Sequence, residues 1–260
     1  MKFTIGKDDL KSAARFVGRV APSRPTSPIL AGVMIHADAT VGVTFTVYDY
    51  ERAAQTVADA TVDDGGSVLV SAKLFQSITE KMPGSNVTIE LDGSRVLIRS
   101  GSAKFNLPAM PVEEYPVPDF TAQTLATMPA TVFEDAASRV AGVASKDDVT
   151  PIITAVQVTV GERVTFIATD RFRVAEHVAN ASVESEGVVL IPGQVLSDAA
   201  KSFTGDVSIG VTDAENPKVV ISGHEGSIMS LIIAGNYPPV SRLMYIAVRD
   251  PTVVDPDAQA

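Results

Sequence analysis

The chain repeats itself at a spacing of about 120 residues, and this repeat constrains the fold more than any single motif does. Asp49 and Asp170 end matching strand-like segments in the two halves. Four pairs of segments recur in one order: SPILAGV (27–33) with TPIITAV (150–156), TFTVYDYERAA (44–54) with TFIATDRFRVA (165–175), SVLVSAKLF (67–75) with GVVLIPGQVL (187–196), and EEYPV (113–117) with GNYPPV (235–240). This order predicts two homologous domains at 1–118 and 128–246, an extended linker at 119–127 and a polar tail at 247–260.

Each half combines helical and strand patterns. Apolar residues recur every three or four positions in four segments, which predicts amphipathic helices at 8–20, 71–82, 131–144 and 193–203. In the second helix the apolar stripe is Leu74, Ile78 and Met82, and Ser71 is the predicted N-cap. Alternating segments between the helices predict roughly sixteen strands. The predicted fold class is therefore α+β, with two helices on antiparallel sheets in each domain.

The composition excludes several classes of site. There is no Cys among the 260 residues, which removes disulfides, thiol catalysis and cysteine metal sites. The three His are scattered, so neither a metal nor a cofactor is expected. The N-terminus lacks the apolar run of a signal peptide, and no segment is apolar enough to span a membrane. The expectation is a soluble, cytoplasmic protein that does not bind membranes.

The charge and the missing catalytic motifs argue against other functions. A net charge of −10 argues against tight binding of nucleic acid, although it permits a protein that surrounds DNA with a mildly basic inner face. The chain has no Gly-rich phosphate loop and no nucleophile elbow. Asp49 and Asp170 stand at equivalent turns, where Asp typically accepts hydrogen bonds from the backbone. We therefore predict that the chain is not an enzyme.

Specific strings resemble the bacterial DNA polymerase III beta subunit family, the sliding clamps. The matching segments are RVAPSRPTSPILAGVMI (19–35), the nearly continuous stretch 68–116, TFIATDRFRVA (165–175) and GNYPPVSRLM (235–244). The resemblance covers about 1–246 and implies repeated clamp domains that form a ring around DNA. It also implies a processivity factor that binds double-stranded DNA without sequence preference. Its protein partners would be a DNA polymerase and a clamp loader, each docking through a short peptide motif.

The family has three such domains in each chain, and two subunits form a six-domain ring. This sequence shows two domains, so the expected ring is a homotrimer with a head-to-tail interface. A monomer without a ring and a fragment of a longer chain are the alternatives. The two-domain length suggested a phage-encoded protein. A clamp-derived scaffolding protein that binds partners without encircling DNA is the alternative function.

The resemblance and the charges of the helices together predict which residues face DNA. Arg24, Lys73 and Lys146 match basic or DNA-contacting positions of the family. The helices also carry a small surplus of positive charge, which adds Lys11, Arg15, Lys81 and Lys201 as candidates. A solvated helix face is the alternative explanation for each Lys.

The resemblance also nominates a cleft for partner peptides on the second domain. The matching positions are Thr169, Asp170, Arg173, Val174, Pro238, Arg242 and Leu243. Apolar members of this set would hold a Leu or Phe anchor, and the arginines would bind the peptide backbone or a carboxylate. Val174 and Leu243 are equally explained as core residues. Arg171 and Phe172 replace the Gly-His pair of the family, which changes the shape of the cleft.

Overall fold

The computed structural model describes residues 1–22, 25–147 and 149–240. These residues divide into two compact units. Unit 1 contains Met1–Gln123, Ser202–Thr204 and Gly210–Leu231. Unit 2 contains Thr124–Lys201, Gly205–Ile209 and the described residues from Ile232 onward.

Both halves of the chain have the same order of elements. The first half contains β1 (Lys2–Gly6), α1 (Lys7–Val20), β2 (Gly32–Asp38), β3 (Gly42–Tyr48), β4 (Arg52–Ala58), β5 (Ala60–Asp64), β6 (Gly66–Ser71), α2 (Ala72–Thr79), β7 (Asn86–Asp92), β8 (Arg95–Ser100) and β9 (Ala103–Pro108). The second half contains β10 (Gln123–Pro129), α3 (Ala130–Ala141), β11 (Ala155–Val160), β12 (Val164–Thr169), β13 (Val174–Ala179), β14 (Ser182–Val183), β15 (Gly187–Pro192), α4 (Gly193–Ala200), β16 (Asp206–Val211), β17 (Lys218–Gly223) and β18 (Gly226–Leu231). The predicted α+β class and the four helices are confirmed, with eighteen strands in the described residues.

Unit 1 contains a five-stranded sheet in the order β5-β1-β7-β8-β9. It also contains strands β17, β18, β4, β3, β2 and β6, hydrogen-bonded in that order. Helices α1 and α2 pack against each other, and α1 also packs on β4. Phe45 and Phe75 meet in the core with ring centroids 5.9 Å apart, so α2 is anchored to β3 through aromatic contact.

Unit 2 contains a four-stranded sheet in the order β13-β12-β11-β15. Helix α3 packs against α4 and on β13, and its Phe133 is fully buried. Strand β10 pairs with β14 through Ala126 and Thr127. Strand β10 therefore includes residues 123–127 of the predicted linker.

The predicted apolar stripe of α2 is wrong at Leu74, whereas Met82 is buried and Ile78 half-buried. Leu74 is 50% exposed, whereas Phe75 is buried at 1% exposure together with Ala72 and Thr79. The buried face of α2 differs from the predicted one because burying Phe75 against Phe45 removes more apolar surface from water than burying Leu74 would. The predicted N-cap is confirmed, since the Ser71 hydroxyl accepts a hydrogen bond from the Leu74 N–H at 3.5 Å.

A buried tyrosine closes each repeat in the same way. The Tyr115 hydroxyl accepts a hydrogen bond from the Tyr48 N–H at 2.7 Å and donates to the Gly32 carbonyl at 3.2 Å. In the second repeat, the Tyr237 hydroxyl accepts from the Thr169 N–H at 3.1 Å and donates to the Ala155 carbonyl at 3.2 Å. Each tyrosine therefore ties the last segment of its repeat to two central strands, β2 and β3 in the first repeat and β11 and β12 in the second.

The two Asp turns also match atom for atom. Asp49 Oδ1 accepts from the Glu51 and Arg52 N–H groups at 3.1 and 2.7 Å. Asp170 Oδ1 accepts from the Phe172 and Arg173 N–H groups, both at 3.0 Å. The predicted structural role of the repeated Asp is confirmed.

Candidate functional site

The turn from Asp170 to Arg173 presents three side chains to solvent from a strained backbone. Arg171 has a left-handed φ of 80°, which is unfavourable for a residue with a Cβ. Arg173 Nε donates to Asp170 Oδ2 at 2.8 Å. This hydrogen bond is the main reason that the pKa of Asp170 lies below its usual value, with the Phe172 and Arg173 N–H groups adding to the effect. The Asp170 carboxylate therefore stays ionised and keeps the turn closed.

This turn forms one wall of an open groove with a volume of about 620 Å³. The other wall is the segment after α3 and the 3₁₀ helix Pro151–Thr154. Its lining residues are Gly142, Ala144, Ser145, Lys146, Asp147, Ile153, Asp170, Arg171, Phe172 and Arg173. The structure thus brings Lys146, predicted to face DNA, to the same groove as Asp170 and Arg173, predicted to face a partner peptide.

The remaining predicted cleft residues have different environments. Thr169 is 3% exposed, and its hydroxyl donates to the Arg173 carbonyl while accepting from the Arg171 N–H. Val174 and Pro238 are half-buried. Thr169 therefore holds the turn from inside, and Pro238 follows the tyrosine that binds the Thr169 backbone. Arg242 and Leu243 lie outside the described residues.

Sequence reasoning missed the most exposed apolar residue of the turn. Phe172 is 94% exposed and lines the groove, and Arg171 beside it donates a hydrogen bond to the Thr150 hydroxyl. The signal was present in the sequence as the replacement of the Gly-His pair. This replacement changes the shape of the cleft and also adds an aromatic ring and a guanidinium group.

Two of the basic residues of α1, Lys11 and Arg15, share one carboxylate. Lys11 Nζ lies 2.9 Å from Glu80 Oε2, and Arg15 donates to both Glu80 oxygens at 2.6 and 3.0 Å. The Arg15 hydrogen bonds, followed by that of Lys11, hold the pKa of Glu80 below its usual value. Counting charges along single helices missed this pairing because it joins α1 to the end of α2.

The other predicted DNA-facing residues are exposed. Lys73 and Lys81 have no ion pair within the described ranges, and Lys146 is exposed beside the groove. Lys201 is exposed at the C-cap of α4. Arg24 lies outside the described residues.

No helix among 1–22, 25–147 and 149–240 is long and apolar enough to cross a membrane. In that part of the chain, no three His, Asp or Glu side chains cluster as metal ligands.

The chain matches two family models in the order of its repeats. The N-terminal domain of the DNA polymerase III beta subunit matches residues 1–119, and the central domain matches 127–239. The beta sliding clamp of Micrococcus luteus is 36% identical over 94% of this chain and 80% of its own length. The chain belongs to the DNA polymerase III beta subunit family.

Other members of the beta subunit family share both sequence and fold with this chain. The beta sliding clamp of Streptomyces coelicolor is 34% identical over 87% of this chain and 61% of its own length. The crystal structure of the DNA polymerase sliding clamp from Bacillus subtilis has a TM-score of 0.85 and 29% identity, covering 94% of this chain and 67% of that one. These bacterial relatives favour the sliding clamp over the scaffolding alternative and lend no support to a phage origin.

Proposed function

We propose that this chain is a sliding clamp, a non-enzymatic processivity factor that surrounds duplex DNA and tethers a DNA polymerase. The observation that carries the proposal is the match of both repeats to the beta subunit family, in order and over nearly the whole chain. We propose 1–118 and 128–246 as its two clamp modules. The expected location is the cytoplasm, where such a protein meets DNA and a clamp loader.

Topological retention on DNA tests this function directly. The protein is loaded on nicked circular plasmid with a clamp loader, and the DNA-bound fraction is measured by gel filtration at high salt. We expect retention on the circle and release after the plasmid is linearised, because a closed ring slides off free ends. Equal retention on circular and linear DNA would support direct binding and contradict the clamp proposal.

Weak contacts with phosphates should come from exposed basic residues such as Lys73 and Lys81. Glu80→Gln removes the carboxylate that occupies Lys11 and Arg15. We expect tighter binding to duplex DNA and a salt dependence steeper by about one to two in log–log slope. Glu90→Gln is the matched control, since it frees Arg99 on a strand pair instead. An E80Q protein that binds DNA like the E90Q protein would exclude α1 from the DNA-facing surface.

We propose that the groove at Asp170–Arg173 binds the short peptide motifs of the polymerase and the clamp loader. Phe172 offers an aromatic contact for a Leu or Phe anchor, and the guanidinium groups of Arg171 and Arg173 suit a backbone carbonyl or carboxylate. Phe172→Ala should weaken binding of a fluorescent polymerase-tail peptide about tenfold. Val188→Ala, at another exposed apolar residue that lies outside the groove, should leave the affinity unchanged. Unchanged affinity of the Phe172→Ala protein together with weaker binding by the Val188→Ala protein would contradict peptide binding in this groove.

The number of chains in the ring stays a prediction. Light scattering after size exclusion, over a range of concentrations, should give three times the chain mass of 27.3 kDa for the predicted homotrimer. A mass that remains at one chain, both free and on DNA, would contradict a closed ring.

A further inference from the structure

Unit 1 contains a groove of its own, with a volume of about 490 Å³. One wall is the segment 119–123, which precedes the body of β10, and the other is the loop 212–217 together with Lys218. Both walls belong to unit 1, so the groove is formed within one compact body. Its volume lies in the range of pockets that bind small ligands or short peptide segments.

The loop wall is an addition to the repeated scaffold. The two repeats have the same order of elements, so the β16–β17 hairpin corresponds to the β7–β8 hairpin. Strands β7 and β8 are joined by two residues, Gly93 and Ser94, whereas β16 and β17 are joined by six, 212–217. The longer loop is closed at its base, because the Thr212 N–H donates to the Lys218 carbonyl at 3.0 Å and the Lys218 N–H donates to the Thr212 hydroxyl at 2.9 Å. Binding residues are found most often on loops that a rigid scaffold holds in place.

The opposite wall is fixed to the hydrophobic core. Phe120 and Ala122 pack against a buried cluster that consists of Tyr48, Ala53, Leu69, Tyr115, Val220 and Met229. Between them, the Thr121 N–H donates to Asp119 Oδ1 at 2.9 Å and closes a local turn. This wall is therefore formed before any ligand arrives, and binding requires little ordering of it.

The groove carries negative charge that the chain itself does not neutralise. Asp119, Asp213 and Glu215 are exposed, and none of them forms an ion pair within the residues that the structure describes. Among the described lining residues the one cation is Lys218, and its amine is engaged with Tyr48. Lys218 Nζ donates to the Tyr48 hydroxyl at 2.6 Å and lies 4.8 Å from the centroid of the ring.

This combination of charge and apolar surface restricts the ligand. Carboxylates repel the phosphates of DNA, so nucleic acid is excluded from the groove. Ala122, Ala214 and the methylene stem of Lys218 provide apolar surface between the carboxylates. An extended peptide directs successive side chains to opposite sides, so a segment that alternates basic and apolar residues matches both parts of the groove.

We propose that this groove docks an extended, basic segment of a protein partner. Lysine or arginine side chains of the partner bind Asp119, Asp213 and Glu215, and its apolar side chains cover Ala122 and Ala214. The proposal goes beyond the clamp function, because it gives the chain a second docking surface with the opposite charge. The groove at Asp170–Arg173 is lined by three cations and two carboxylates, whereas this one is lined by three carboxylates and one cation.

Charge removal at the loop tests the proposal. The probe is a fluorescein-labelled octapeptide in which Lys alternates with Leu, and its binding is measured by fluorescence anisotropy. The double variant D213N/E215Q should weaken binding about tenfold. E184Q/E186Q removes the same charge at the same spacing from exposed positions outside the groove, and it should bind like the wild type. Equal losses in the two double variants, or a wild-type protein that does not bind the probe, would overturn the proposal.

A blocking substitution tests the same groove by adding a side chain. Ala214→Lys places an amine and its stem between the carboxylates, so we expect binding at least tenfold weaker than in the wild type. Ser94→Lys adds the same side chain to the shorter β7–β8 turn and should have little effect. Wild-type affinity in the A214K protein would contradict docking in this groove, as would equal binding of a probe with Glu in place of Lys.

The two docking surfaces can be separated. The F172A protein should bind the Lys–Leu probe like the wild type, and the D213N/E215Q protein should still bind the polymerase-tail peptide, because neither change touches the other groove. Loss of probe binding in F172A alone would assign the probe to the groove at Asp170–Arg173 and overturn the second surface, while leaving the clamp proposal in place.

Discussion

The Asp49 and Asp170 turns share a backbone but carry different surface chemistry. In both, the Asp caps two N–H groups, the next residue has a left-handed φ of 73° (Tyr50) or 80° (Arg171), and an Arg follows. Tyr50, at the position of Arg171, lies against the Tyr48 ring with centroids 5.5 Å apart. Phe172, at the position of Glu51, projects into solvent beside a groove. The hydrogen-bonded backbone of the turn is therefore the same in both repeats. The side chains that take no part in those hydrogen bonds make one turn structural and the other a candidate docking site.

The tyrosine hydroxyls give the largest expected difference between the repeats. Tyr115→Phe leaves the buried Tyr48 N–H and Gly32 carbonyl without their partner, so we expect a loss of about 2–3 kcal/mol in the free energy of unfolding. Tyr237→Phe should cost about 1 kcal/mol, since Tyr237 is less buried. Urea unfolding of both variants checks this order. Equal losses would mean that the two closures are energetically equivalent.

Alkaline pH should separate the same tyrosines. Burial raises the pKa of Tyr115 to about 12, above the usual value of 10.0. The unfolded chain then ionises first, so this contribution is complete below pH 10 and is lost as the pH rises towards 12, by roughly 3 kcal/mol. Burial also raises the pKa of Tyr237. The Y115F protein should show a flatter decline of stability in this window; an unchanged decline would assign it to other groups.

The helix starts that follow β6 and β15 give the next comparison. Helix α2 begins with Ala72, whereas α4 begins with Gly193, where an added Cβ would lie 2.9 Å from the Ala144 Cβ and 3.2 Å from the Thr154 carbonyl oxygen. Gly193→Ala should destabilise the protein by about 1–2 kcal/mol through overpacking. Gly142→Ala has open space and should be neutral or slightly stabilising. Thermal unfolding of both variants measures the difference, and a stabilising G193A would show that α4 shifts freely.

Backbone strain in the two turns is the smallest effect. Gly and Ala at position 171 both lack the arginine side chain, so the difference in stability between these two variants reports the cost of the left-handed φ. The free energy of unfolding of the Arg171→Gly protein should be about 1 kcal/mol higher than that of the Arg171→Ala protein. The Tyr50→Gly protein should be more stable than the Tyr50→Ala protein by a similar amount. Chemical denaturation checks both pairs. A gap at only one position would break the equivalence of the turns.

Local patterns predicted most of the scaffold. Apolar spacing located all four helices, and the recurrence of Asp49 and Asp170 predicted backbone capping that the structure confirms. Both predictions rely on interactions between residues near each other in sequence. The tyrosines that close the repeats were visible as recurring motifs, but their hydrogen bonds to strands far along the chain were not.

Contacts between distant elements explain what the sequence could not predict. Leu74 is exposed because Phe75 fits against Phe45, which lies about 30 residues earlier on another strand. Glu80 pairs with both Lys11 and Arg15 because α1 packs on α2, so the charges of either helix alone did not show this contact. The groove at Phe172 likewise depends on two loops that only the folded chain brings together.

The tyrosine closures also bear on how such chains arise. Tyr115 hydrogen-bonds to Gly32 and Tyr48, and Tyr237 to Ala155 and Thr169, so each tyrosine binds only its own repeat. A duplicated gene segment would therefore carry these hydrogen bonds with it. A new copy therefore needs no compensating mutation elsewhere to hold its ends together.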